Sequence, residues 1–238
     1  MKVVLPSLAG PEAEAWTVIF ELMEAFGEAV SLVGAQMVIL HAAVHGVNRP
    51  IRTRDLDILV NVQVLRPAEV AAWLEEREFE LVSMDSDGIG HKYRRGEIEI
   101  DILATDRAGS RADRSTSPPA RTVEVPGGRG AVKRTISAEV EVNDQVGVVR
   151  LPDWLGALTL KARAAVAFQG ERSKHLSDLV LLLGLPVDIL AFDAELSDRA
   201  RNQIGKGWAY VDDATLRGVA RSVDTRIVMA SAQVLRLG

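Results

Sequence analysis

Asp55 and Asp57 stand two residues apart in the run Arg52-Thr53-Arg54-Asp55-Leu56-Asp57-Ile58-Leu59-Val60. The aliphatic stretch Leu56 to Val62 reads as a strand, and residues two apart on a strand face the same side with Cα atoms roughly 6.6 Å apart. Carboxylates that close repel one another unless a cation lies between them, and Mg²⁺ takes such oxygen ligands at about 2.1 Å. Further on, Glu97, Glu99 and Asp101 alternate with Ile98, Ile100 and Ile102, which predicts a strand with one acidic and one apolar face. If that strand lies beside the first, at roughly 4.8 Å, Asp101 supplies the third carboxylate of a site for two metal ions about 3.5 to 4 Å apart. Gly34 closes the apolar run Val30 to Val33 and opens a stretch of helical spacing, so a strand turns sharply into a helix there. A residue without Cβ at such a turn lets a ligand approach the backbone, while unpaired helix N–H groups face it, which suits phosphate.

These residues need elements to hold them. Trp16, Ile19, Phe20, Met23 and Phe26 recur at three- and four-residue spacing and predict a helix from Pro11 to about Gly27. After Gly34, helical spacing resumes in Met37, Val38, Leu40, His41 and Val44, and Pro67 opens another helix that runs to about Glu78. Phe79 to Met84 reads as a strand, and His91 to Arg95 with Glu97 to Leu103 as a hairpin about Gly96. Thr105 to Gly130 is rich in Gly, Ser and Pro and reads mostly as loop. Val132 to Ile136, Glu139 to Val142 and Val146 to Leu151 read as short strands. Beyond Pro152 the pattern is helical, with Trp154, Leu155, Leu158, Ala162 and Ala165 on one face and Leu176, Leu179, Val180 and Leu183 on another. The expected class is α+β: a mixed β-sheet flanked by helices over residues 1–150, then a helical part over 151–238.

The 238 residues are ample for a core, and 47% hydrophobic with 26% charged residues excludes a disordered or fibrous chain. A net charge of −5 excludes a protein that coats nucleic acid over its whole surface. From Asp106 to Arg134, however, seven basic residues stand against three acidic ones, so a local cationic surface is compatible. The absence of cysteine removes disulfides, thiolate nucleophiles and iron–sulfur clusters. The apolar stretch before Pro6 is too short for a signal h-region, and Leu179 to Phe192 is broken by Gly184, Pro186 and Asp188. A cytoplasmic protein with no membrane partner is expected. His41 and His45 are four apart, but no Glu follows His41 as a zinc protease motif requires.

Each chemical feature alone describes an ordinary turn or a solvated strand face. Together, a phosphate-binding turn, paired carboxylates about twenty residues later and an acid on a further strand are the parts of a nucleotidyl-transfer site. Leu32-Val33-Gly34-Ala35, His41, Arg49 and Arg52-Thr53-Arg54-Asp55-Leu56-Asp57-Ile58 resemble the Gly-Ser/Gly-Gly and Asp-x-Asp motifs of the DNA polymerase beta-like nucleotidyltransferase superfamily, in particular its AbiEii-like toxins. Lys161, Lys174 and Asp178-Leu179 resemble that family's helical pattern of a Lys followed by Lys-Asp-x-x-Asp-Leu, with His175 where the first Asp usually stands. Ala35 stands where the family commonly has Ser or Gly.

The resemblance implies a nucleotidyltransferase-like fold and transfer of a nucleoside monophosphate from an NTP such as ATP to a hydroxyl of tRNA or protein. It implies two Mg²⁺ ions on Asp55, Asp57 and Asp101, and nucleotide binding by Gly34, Ala35, Arg54, Lys161 and Lys174. Lys161 and Asp178 would help place nucleotide or acceptor, and an antitoxin would be the partner of a toxin. A catalytically silent member that binds nucleotide or a partner protein is the alternative within the same fold. A phosphate-binding hydrolase or regulatory domain is a third reading.

Overall fold

The computed structural model describes residues 2–47, 55–107, 109 and 112–237. Arg49, Arg52, Thr53, Arg54 and Arg111 lie outside the described residues. The elements follow in chain order as β1 (Lys2–Val4), α1 (Pro11–Phe26), β2 (Val30–Val33), α2 (Gly34–Val44), β3 (Asp55–Val60), α3 (Pro67–Glu75), β4 (Glu80–Leu81), β5 (Lys92–Arg95) and β6 (Ile98–Thr105). They continue as β7 (Glu124–Val125), α4 (Gly128–Val132), β8 (Thr135–Val142) and β9 (Gln145–Pro152), then the helices α5 (Trp154–Ala167), α6 (Arg172–Leu183), α7 (Ile189–Glu195), α8 (Asp198–Trp208), α9 (Asp213–Val219) and α10 (Thr225–Val234).

The chain divides into two units, one of Met1–Met37 with Ile51–Pro152 and one of Val38–Pro50 with Asp153–Gly238. In the first unit, a mixed sheet runs in the order β2-β3-β6-β5-β4, with β7 paired to β6. β3 and β6 are parallel, while β2 meets β3 and β5 meets β6 antiparallel. A second sheet has the order β1-β8-β9. The expected alternation on β6 holds: Ile98, Ile100 and Ile102 are at most 1% exposed, and Glu99 and Asp101 on the other face are half-buried. β6 packs against α1 and α3, whose Trp16, Ile19, Leu22 and Leu74 are sealed from solvent. Each such aliphatic side chain, fully buried, contributes about 1.5–3 kcal/mol, which anchors β6 and fixes which face its acids occupy.

Three local readings differ from the sequence expectation. The strands expected over Val132 to Ile136 and Glu139 to Val142 are one strand that starts later: β8 runs unbroken from Thr135 to Val142, paired along its length with β9, and Val132 belongs to α4. Gly128–Val132, expected as the end of a loop up to Gly130 and the start of a strand at Val132, is a short helix because the Asp106 carboxylate accepts from the backbone N–H groups of Gly127 and Arg129 at its start, both at 3.0 Å. Lys2–Val4 pairs in parallel with β8, a strand with no local signal.

The second unit is built on α5 and α6. Trp154 donates from its indole to the Leu182 carbonyl at 2.8 Å and stacks on Phe192 at 4.8 Å between ring centroids. The expected apolar faces of both helices are buried. Gly207 lets α8 approach α5 closely, since a Cβ there would lie 2.7 Å from the Ala162 Cα.

Candidate active site

The register of three strands sets the site's side chains in two rows. Asp57 on β3 is paired with Asp101 on β6, and Asp101 in turn with Lys92 on β5. One step along the same face, Asp55 is paired with Glu99, and Glu99 with Arg94. Each row therefore reads acid, acid, base across the sheet. The sequence expectation that β6 lies beside β3 and brings Asp101 to the Asp55/Asp57 pair is met in this geometry. The two cations on β5 were not singled out in the sequence. A signal for them existed: a hairpin with Gly96 and Glu97 at its tip sets residue 92 opposite 101 and 94 opposite 99.

The turn into α2 meets this face directly. β2 runs antiparallel to β3 with Val33 paired to Asp57, so the next residue, Gly34, lies against the Asp57 side chain. Gly34 has φ 68°, in the left-handed region. A Cβ built on it would land on Asp57 Oδ2 and lie 2.9 Å from the Asp57 Cβ. Glycine is thus required twice at this position, by the backbone and by the carboxylate packed over it. Ala35 follows as the second residue of α2 and is half-buried.

Charge on the face is unevenly compensated. Lys92 Nζ donates to Glu99 Oε2 at 2.9 Å and stands 3.5 Å from Asp101 Oδ1. Arg94 Nε donates to Glu99 Oε1 at 2.8 Å. Hydrogen bonds from Lys92 and then Arg94 hold the Glu99 carboxyl below the usual carboxylate range. Burial pulls the Lys92 ammonium down, but the Glu99 hydrogen bond and the negative charges of Asp101, Glu99 and Asp55 outweigh it and raise its pKa. Asp101 moves the other way: burial pushes its pKa up against the opposing pull of Lys92. Its Oδ1 is buried without a hydrogen-bond partner. His91, just before β5, is kept more neutral than usual by burial first and by Lys92 second, with Asp57 and Asp85 pulling the other way.

The donor chemistry suits a hard divalent cation. Among the described residues, no three His, Cys, Asp or Glu side chains are gathered closely enough to enclose a metal ion.

In the second unit, Lys161 on α5 and Asp178 on α6 form an ion pair at 2.7 Å with side chains 7% and 1% exposed. His175, one turn before Asp178, lies in the same neighbourhood; burial and then the positive charge of Lys161 lower its pKa. Its Nδ1 is buried without a hydrogen-bond partner. Lys174 is exposed. Asp55, Asp57, Asp101 and Gly34 are thus assembled within the first unit, Lys161 and Asp178 within the second, and Arg54 lies outside the described residues.

A mixed sheet with a strand-to-helix glycine turn beside an Asp-x-Asp strand, followed by a helical segment, defines a nucleotidyltransferase-like fold. A solved structure described as an antigenic nucleotidyltransferase-like protein from Paracoccidioides brasiliensis is similar over 98% of this chain and 95% of that chain, with a TM-score of 0.53 and 16% sequence identity. At that identity the likeness shows the fold alone, and it does not extend to the AbiEii-like variety. No protein-family model and no curated protein matches the chain. Among the described residues no helix is long and apolar enough to cross a membrane.

Proposed function

We propose that the chain is a Mg²⁺-dependent nucleotidyltransferase that moves a nucleoside monophosphate from an NTP, ATP among the candidates, to a hydroxyl of tRNA or of a protein, and that it acts in the cytoplasm as the toxin of a toxin–antitoxin pair. The observation that supports this best is the packing of the Asp57 carboxylate over Gly34, in register with Asp101, within a nucleotidyltransferase-like fold. Asp55 and Asp57 would hold the cation, with Asp101 beside them on β6. What the cation supplies when bound is neutralisation of charge on the phosphate oxygens. The Gly34 turn would admit the triphosphate to the N-terminal N–H groups of α2, and Lys174 offers a further cation to phosphate. Lys161 would contribute through Asp178, with which it is paired. Exposed Arg107, Arg121 and Arg129 support an RNA acceptor through their charge.

Incubation of the purified chain with each labelled NTP, Mg²⁺ and either total tRNA or lysate tests the proposal. Incorporation from one NTP is expected, and Asp57→Asn should reduce it to background while leaving the circular dichroism spectrum unchanged. Turnover at the wild-type rate in Asp57→Asn overturns it. Ala35, which brings no hydroxyl to the phosphate turn, favours a second reading: a catalytically silent nucleotide-binding protein. Saturable NTP binding without incorporation into either acceptor pool would select that reading.

A further inference from the structure

We propose that the second unit carries a phosphate-binding site of its own, in the cavity between α8 and the turn that ends α10, with Lys206 and Arg236 as its cations. This site lies wholly within that unit and does not depend on the chemistry of the acid face.

The cavity measures about 460 Å³, within the range of small-ligand sites. One wall is α8, with Asn202, Gly205 and Lys206; the other is the segment after α10, with Arg236 and Leu237. Arg201 fixes the two walls to each other. Its guanidinium Nη1 donates to Asp193 at 2.7 Å and to the Leu235 carbonyl at 2.6 Å, which ties α8 to α7 and to the end of α10. Gly205 allows the approach, since a Cβ there would lie 3.3 Å from the Leu237 carbonyl oxygen. Lys206 follows Gly205 and Arg236 precedes Leu237, so the contact that joins the walls also brings the two cations to one cavity.

Lys206 and Arg236 are exposed, and among the described residues neither side chain has an ion-pair or hydrogen-bond partner, nor does the Asn202 amide. Cations that serve the packing of this unit do have carboxylates: Arg201 pairs with Asp193, and Lys161 with Asp178. The cavity's own acid, Asp198, stands eight residues before Lys206, about 12 Å along the helix axis. Arg236 bears a second, independent mark. α10 ends in a Schellman motif, in which the Leu237 N–H donates to the Ala232 carbonyl and the Arg236 N–H to the Gln233 carbonyl, both at 3.0 Å. That motif puts Arg236 at φ 53°, in the left-handed conformation that glycine ordinarily supplies at this position. An arginine there loads the backbone without any hydrogen bond or ion pair of its side chain, among the described residues, to offset it. A guanidinium fork, an ammonium and an amide N–H group in one concave site suit the oxygens of a phosphate ester.

A labelled single-stranded RNA oligonucleotide, followed by fluorescence anisotropy on the full-length chain, and AMP, followed by calorimetric titration, test this and distinguish two sources of the phosphate. At least one probe should bind, and Lys206→Gln and Arg236→Gly should each weaken it about tenfold or more. Arg221→Gln, at an exposed residue outside the cavity, should leave binding unchanged. Binding of AMP assigns the site to a free nucleotide; binding of RNA that AMP does not displace, with a salt slope about one smaller in each cavity variant, assigns it to a phosphodiester backbone. Arg236→Gly also relieves the left-handed backbone, so its Tm should equal or exceed that of the wild type while binding falls, a combination that a merely structural arginine would not give. The proposal is overturned if neither probe binds, if affinity is the same in the wild type and the cavity variants, or if Arg221→Gln weakens binding as much as they do. Should Arg236→Gly lower Tm, Lys206→Gln, which alters only an exposed side chain, decides the question.

Discussion

At the scale of single residues, Gly34 makes the sharpest claim. Its positive φ alone costs an L-residue about 1–2 kcal/mol. A methyl group there must also displace the Asp57 carboxylate, which lies in the space it would occupy. Gly34→Ala should therefore lower stability by at least about 1 kcal/mol and weaken Mn²⁺ binding by roughly tenfold or more, the equivalent of about 1.4 kcal/mol of lost ligand geometry. Urea unfolding and a Mn²⁺ titration check the two effects separately, and wild-type metal affinity in a folded variant would show that Asp57 is not the ligand. Asp55 with Asp57, and Glu99 with Asp101, were legible in the sequence because residues two apart on a strand share a face, and Gly34 was legible as the turn from a strand into a helix; that Asp101 lies beside Asp57 depends on the pairing of β3 with β6. Lys92 and Arg94 were not singled out, because their importance arises only when β5 is registered against β6. That register is encoded in the length of the Gly96 turn and not in the residue types of the strand itself.

Between elements, the Lys161–Asp178 pair clamps α5 to α6 in an interior that hydrates neither charge. Breaking a buried ion pair by removing one partner costs about 3–5 kcal/mol. Lys161→Met should lower the urea midpoint accordingly, and the double variant Lys161→Met/Asp178→Leu should recover most of the loss. A double variant no more stable than the single one would mean that the pair does not act as a unit. His175 adds a pH dependence to the same helix pair. Its folded pKa lies below the ordinary histidine value, so the unfolded chain takes up the proton first as pH falls. Its contribution to stability is complete above about pH 6.5 and is lost as pH drops from there toward the folded pKa, by at most about 1.4 kcal/mol for each unit of difference. Urea midpoints at pH 7.5 and 5.5 should converge in His175→Gln relative to the wild type; an unchanged gap would place the titration elsewhere. Amphipathic spacing made α1, α5 and α6 readable in advance. The short helix α4 was not, because its cap is Asp106, more than twenty residues upstream in sequence. The strand β1 was hidden for the same reason, since its partner β8 lies far along the chain.

For the molecule as a whole, the order of strand and helix patterns along the chain predicted an α+β class and the fold is of that class, while the units mix sequence segments in a way that local patterning does not show. Residues 38–50 are counted with the helical unit although they lie between Gly34 and Asp55, both of the other unit. Sequence order therefore does not state which cooperative block a ligand should stabilise, but the site residues do: Gly34, Asp55, Asp57 and Asp101 all belong to the first unit. A ligand that binds only the folded state adds about 2.7 kcal/mol of stability at a hundred times its dissociation constant. For a chain of this size each kcal/mol raises Tm by about 2–4 °C. Calorimetry with Mg²⁺ and a non-hydrolysable NTP analogue at that excess should therefore raise the transition of the first unit by roughly 5–11 °C. Mg²⁺ alone should give a smaller rise, because two carboxylates leave most of its coordination shell to water. In Asp57→Asn both shifts should vanish. If the analogue raises Tm equally in wild type and Asp57→Asn, the nucleotide binds away from the Gly34 turn, and the acid face is then not the site of its triphosphate.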